Sequence, residues 1–118
     1  MQAIPEKKNL EIKQKTSRTY ELLFKKDGSY IDITDWTIFF TLKTALGDAD
    51  ASALISKTVT SHSNATQGET TVELTASDTD LTPGSYYYDF KYKTDDGDIG
   101  VLFEGKMTLT KIVTQRES

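Results

Sequence analysis

Two clusters of carboxylates are the residues of this sequence best suited to chemistry. Asp27, Asp32 and Asp35 form one, and Asp95, Asp96 and Asp98 the other. Loop carboxylates are the hard oxygen donors that calcium takes, six to eight at a time. The run Asp95-Asp96-Gly97-Asp98-Ile99-Gly100 does not have the calcium-loop spacing, which also demands a distal glutamate. Aspartate side chains bond their own backbone in turns, and turn chemistry accounts for both clusters, so no metal is expected. His62 is the only histidine. With no second histidine and no cysteine it has no partner for zinc or for nucleophilic catalysis, and it reads as a surface loop residue. Asn64-Ala65-Thr66 matches the glycosylation sequon, which carries meaning only on a secretory route. There is no Gly-rich phosphate loop and no Gly-x-Ser-x-Gly elbow. No spacing brings two carboxylates together as acid and base. The expectation is a protein that is not an enzyme and takes no cofactor.

Composition narrows the class. A chain of 118 residues makes one domain and buries roughly two-thirds of its unfolded surface, enough for a core without staples. It has no cysteine, so no disulfide can contribute. A net charge of −4 argues against nucleic acid as the main partner and against anionic membranes. Met1–Gln14 has no apolar run of the signal-peptide kind, and no stretch is long and apolar enough to cross a bilayer. A soluble product made in the cytoplasm is expected.

The elements that must position these residues are strands. The chain is organised around Asp80–Tyr92. Pro83 and Gly84 make a turn, and then Tyr86, Tyr88, Phe90 and Tyr92 alternate with Ser85, Tyr87, Asp89 and Lys91. Four rings on one face require a large apolar surface opposite. Asp35–Thr44 is the second anchor, with Trp36, Ile38, Phe40 and Leu42 inward and Thr37, Phe39, Thr41 and Lys43 outward. Trp36 is expected in the core. Shorter strands are expected at Asn9–Lys15, Ser17–Lys25 (Tyr20, Leu22 and Phe24 inward), Ala53–Thr60 and Glu69–Thr75. Lys26-Asp27-Gly28-Ser29 and Asp96-Gly97 carry hairpin signals. Ala45–Ser52 reads as a loop with room for a helical turn, and Ala76–Thr82 as a tight crossing. Ile99, Val101, Phe103, Met107 and Leu109 share one parity, with Gly105 as the expected bulge or bend. Residues 1–8 read as a flexible N-terminal arm, residues 9–115 as a single domain, and the last residues as a polar tail.

About seven short strands with turns between them predict an all-β, antiparallel β-sandwich. A tryptophan opening one strand, a long aromatic strand after a tight crossing, and Tyr86 where a tyrosine corner stands sharpen this to an immunoglobulin-like sandwich. Phe39, Tyr87 and Leu102 each interrupt a polar strand face. Brought together on one outer surface they would make a partner interface.

The chain resembles a known group at Asp35-Trp36-Thr37-Ile38, at Leu74 with Ser77-Asp78-Thr79, at Leu81-Thr82-Pro83-Gly84-Ser85-Tyr86-Tyr87-Tyr88-Asp89, and at Asp96-Gly97 and Leu102-Phe103-Glu104-Gly105. It is similar there to the immunoglobulin-like domain of tailed-phage virion proteins, notably the N-terminal domain of the baseplate upper protein. The resemblance runs from Asp35 to about Val113. It implies a phage or prophage structural protein of the tail, baseplate or another part of the virion. Such a protein acts through protein–protein contacts with other virion subunits or as a homo-oligomer. The alternative is a carbohydrate- or surface-binding module, which needs Trp36 or the tyrosines exposed in a row.

Overall fold

The computed structural model describes residues 6–7, 9–45, 47 and 53–113. Residues 1–5, most of the 46–52 segment and the tail from 114 onward lie outside the described residues. Among those described, ten strands and one short 3-10 turn at Ala65–Gln67 make up the regular structure. The strands are β1 (Glu6–Lys7), β2 (Leu10–Lys13), β3 (Arg18–Leu23), β4 (Lys25–Lys26), β5 (Ser29–Tyr30), β6 (Thr37–Lys43), β7 (Ile55–Val59), β8 (Glu69–Leu74), β9 (Gly84–Lys93) and β10 (Ile99–Thr110). The chain is all-β.

Turn chemistry sets where the strands stop. Asp27 (φ 52°) and Gly28 (φ 82°) both take positive φ, as the tightest hairpin turn requires, and join β4 to β5. At Asp95–Asp98 the Thr94 amide donates to the Asp98 carbonyl (2.8 Å) and the Gly97 amide to the Thr94 carbonyl (3.0 Å). The Thr94 hydroxyl accepts the Asp98 amide (3.0 Å). The crossing between β8 and β9 is one coiled turn closed reciprocally by Thr75 and Asp78. Thr79, fully buried within it, donates its hydroxyl to the Thr16 carbonyl (2.7 Å) and ties the crossing to the β2–β3 link.

The main sheet runs β1-β10-β9-β6-β7, with β2 also on β10. Glu6 faces Phe103 and Leu10 faces Met107 with the same offset, so β1 and β2 are one strand interrupted around Asn9. The Asn9 side chain accepts the Lys106 amide across the gap (3.2 Å). Glu6 and Lys7 therefore extend this strand into the segment read as an arm. It pairs parallel to β10, so the sheet is mixed, and the expectation of wholly antiparallel strands is corrected at this edge. Parallel neighbours need a long crossover. Here nearly the whole domain serves as the connection. β3 and β8 form a separate antiparallel pair, as do β4 and β5.

One core joins the two layers. Ile38, Phe40, Leu42, Tyr88, Phe90, Tyr92, Met107 and Leu109 of the main sheet meet Leu22, Val72 and Leu74 of β3 and β8, together with Phe24. The ring of Tyr20 stands edge-on to Phe90 at 5.7 Å and that of Phe24 to Tyr92 at 5.8 Å. These contacts supply the apolar surface that the aromatic face of β9 requires. Trp36 is 6 % exposed and stacks on Tyr92, with centroids 5.3 Å apart and planes at 18°. The inward alternation of β6 and β9 is as the residue pattern predicts.

The bulge in β10 is not at Gly105. Pairing with β9 shifts between Val101 and Phe103, so Leu102 is the extra residue. One inserted residue reverses the side on which every residue before it points. Phe103, Met107 and Leu109 keep to the core, whereas Ile99 and Val101 pair with Lys93 and Lys91 and face outward. Gly100 then faces inward, where the Tyr92 hydroxyl end fills the space a side chain would occupy.

Candidate functional site

The outer face of the main sheet is built from the polar parity of its strands. Backbone pairing lines up Thr58, Phe39, Lys91 and Val101 across β7, β6, β9 and β10. The next row is Ser56, Thr41, Asp89 and Glu104, and the next is Lys43, Tyr87 and Lys106. A shallow groove of about 450 Å³ lies on this face, walled by Phe39, Thr41, Lys43, Tyr87, Lys91, Lys93 and Ile99, with Ser56 and Asp89. A second depression of about 480 Å³ continues from Tyr87 and Asp89 to Glu104, Lys106 and Asn9. The Lys106 ammonium sits 5.8 Å from the centre of the Tyr87 ring, within cation–π range.

Phe39 and Tyr87, two of the three residues proposed from sequence for a partner interface, both line this groove. Leu102 does not join them. Sitting at the bulge, it packs against the core. Ile99 takes the outer position instead and is 53 % exposed. Sequence parity missed it because the bulge reverses the side of everything before Leu102. The lysines at 91 and 93 were legible as outward residues of β9, but their placement beside Phe39 depends on the β6–β9 register.

The acidic clusters are engaged in local structure. Asp32 accepts the Thr34 hydroxyl (2.5 Å) and amide (2.9 Å), and these bonds hold its carboxyl below the usual range. Asp27 and Asp35 take left-handed backbone positions in turns. Among the described residues no three His, Cys, Asp or Glu side chains gather to hold a metal ion. Asp78 is half-buried. Burial pushes its carboxyl up, but the Lys57 ammonium at 2.7 Å and the Thr75 amide and hydroxyl outweigh burial and hold it below its ordinary value. This ion pair pins edge strand β7 to the β8–β9 crossing.

His62 departs from the reading of a simple surface residue. It is half-buried, with Nε2 2.8 Å from the Trp36 carbonyl and Nδ1 2.8 Å from the Thr70 hydroxyl. A carbonyl only accepts, so Nε2 carries hydrogen and donates to it, while Nδ1 shares the second hydrogen bond with the Thr70 hydroxyl. The imidazole therefore clamps the start of β6 to β8. Nothing local in the sequence pointed to this, since Trp36 lies 26 positions away. His62→Ala leaves the buried Thr70 hydroxyl without this partner and is expected to cost about 1–3 kcal/mol. Urea unfolding should show a lower midpoint with unchanged slope, and an unchanged midpoint would remove the clamp from the account.

Trp36 is enclosed by Phe24, Tyr92 and the strands around them, which leaves no indole face for a sugar to stack upon. Among the described residues no helix is long and apolar enough to cross a membrane. No protein-family model matches the chain, and no curated protein matches it.

Proposed function

We propose that the chain is an immunoglobulin-like structural subunit of a phage or prophage virion, of the tail, baseplate or another part, and that it works by protein–protein contact through the outer face of its main sheet. The observation that carries the contact reading is the groove in which Phe39, Tyr87 and Ile99 stand among lysines on the outer face of the main sheet. Apolar and aromatic groups gathered on one outer face, ringed by charge, suit a partner site. Three features support the immunoglobulin-like reading. The order β1/β2-β10-β9-β6-β7 facing β3-β8 fits a sandwich of that type. Tyr86 donates its hydroxyl to the Thr82 carbonyl, as in a tyrosine corner two residues before the inter-sheet position, here Tyr88. Trp36 lies buried just ahead of β6. The virion assignment rests on the resemblance between Asp35 and Val113.

The test is incorporation. Virions purified after prophage induction should contain the chain at a fixed copy number, and virions lacking it would overturn the assignment. Phe39→Asp places a carboxylate beside Lys91, its partner across the β6–β9 pair. The variant should unfold within about 1 kcal/mol of the wild type yet stay behind in the cell extract. A large loss of stability would make Phe39 a core residue and end the contact reading.

A further inference from the structure

We propose that copies of this chain associate head to tail, the lysine-bearing outer face of the main sheet on one copy taking the glutamate-bearing outer face of β3–β8 on the next. The inference rests on the reading of the main-sheet face as a contact surface and names its occupant.

The two outer faces of the domain carry opposite charge. On β3 and β8 the pairs Thr19–Glu73, Glu21–Thr71 and Leu23–Glu69 point away from the core, because the alternating residues Leu22, Val72 and Leu74 are buried within it. Three carboxylates and Leu23, 45 % exposed, stand on that side. Arg18 is the one cation of these two strands; it pairs with Leu74 on the opposite parity and lies over the Tyr20 ring. Lys25, the next residue of outward parity, is held 4.9 Å over the Tyr30 ring. The main-sheet face sets Lys43, Lys91, Lys93 and Lys106 against Asp89 and Glu104. A chain whose net charge is −4 thus concentrates positive charge on one side.

Each face also offers apolar surface to the other, Leu23 on the acidic side and Phe39 with Ile99 in the groove. Their lengths agree. A six-residue strand spans about 20 Å, and β3, β8 and the seven-residue β6 are of that order. Like faces repel, which disfavours a symmetric dimer through either one. Joining unlike faces is a heterologous contact, which closes into a ring or runs on as a filament.

Sedimentation of the full chain tests this. At about 0.01 M salt, where the Debye length is about 30 Å, the wild type should associate with rising concentration. At about 1 M, where that length is about 3 Å, association should weaken at least tenfold. Glu21→Gln with Glu73→Gln blunts one face, and Lys91→Gln with Lys93→Gln the other. Either double variant alone should lose association at least tenfold. Mixed, they should form one-to-one dimers that grow no further, since each supplies the face the other lacks. A wild type that stays monomeric at about 0.1 mM in low salt, or either double variant associating as the wild type does, would overturn head-to-tail contact. Virion incorporation lost by Phe39→Asp is read separately, so the contact face can stand where self-association fails.

Discussion

Gly68→Ala is expected to lower the thermal midpoint by about 10–20 °C, from a cost of about 2–5 kcal/mol. Gly68 closes the 3-10 turn with φ 72° and ψ 19°, a backbone position that costs an alanine about 1–2 kcal/mol. The larger part is contact. A Cβ there would stand 2.5 Å from the Phe24 carbonyl oxygen and 2.8 Å from that of Ile31. The nearer oxygen is held in place. The Phe24 carbonyl accepts the Ile31 amide (3.0 Å), and the Phe24 amide donates to Gly68 itself (2.9 Å). Gly68 is the point where the end of β3, the extended piece before β6 and the turn before β8 share one hydrogen-bonded seam. Gly28→Ala is the control. Its φ of 82° is as demanding, but nothing lies within 4 Å of the added carbon, so only about 1–2 kcal/mol should be lost. Equal midpoints for the two variants would show that the close approach at Gly68 carries no energy.

Trp36→Ala is expected to cost about 3–5 kcal/mol, the range for removing a large buried ring. The indole fills the space between Phe24, whose ring meets it edge-on at 5.4 Å, and Tyr92, on which it stacks. Tyr92 cannot close the gap easily, because its hydroxyl end already occupies the space over Gly100. The His62 bond to position 36 goes to the backbone carbonyl, so the clamp is retained and the loss reports packing. Urea unfolding measures it, and Trp36→Phe should restore most of the stability. In the wild type, acrylamide should quench the tryptophan emission only weakly. Ready quenching, or an alanine variant as stable as its parent, would place the ring outside the core.

The outer-face groove was half legible in the residues. Phe39 and Tyr87 are apolar intrusions on faces whose alternation is unambiguous, and both line it. Leu102 and Ile99 exchanged roles because a bulge is placed by how β10 fits β9, and Gly105, the glycine that suggested one, pairs with Tyr88 in register. The role of His62 is not legible in the sequence for a related reason. A loop histidine takes its meaning from the groups folded against it, here a carbonyl from β6's approach and a hydroxyl from β8.

What the residues alone determined is everything governed by near neighbours. Alternation at period two assigned the inward faces of β6 and β9, and Asp-Gly pairs announced the hairpins, because side-chain direction and turn dihedrals are local properties. Tertiary structure alone decided the parallel pairing of the N-terminal strand with β10, the bulge at Leu102, the seam at Gly68 and the opposite charges of the two outer faces. Each depends on which distant segments meet and in what register, and that is settled by the sum of contacts across the domain.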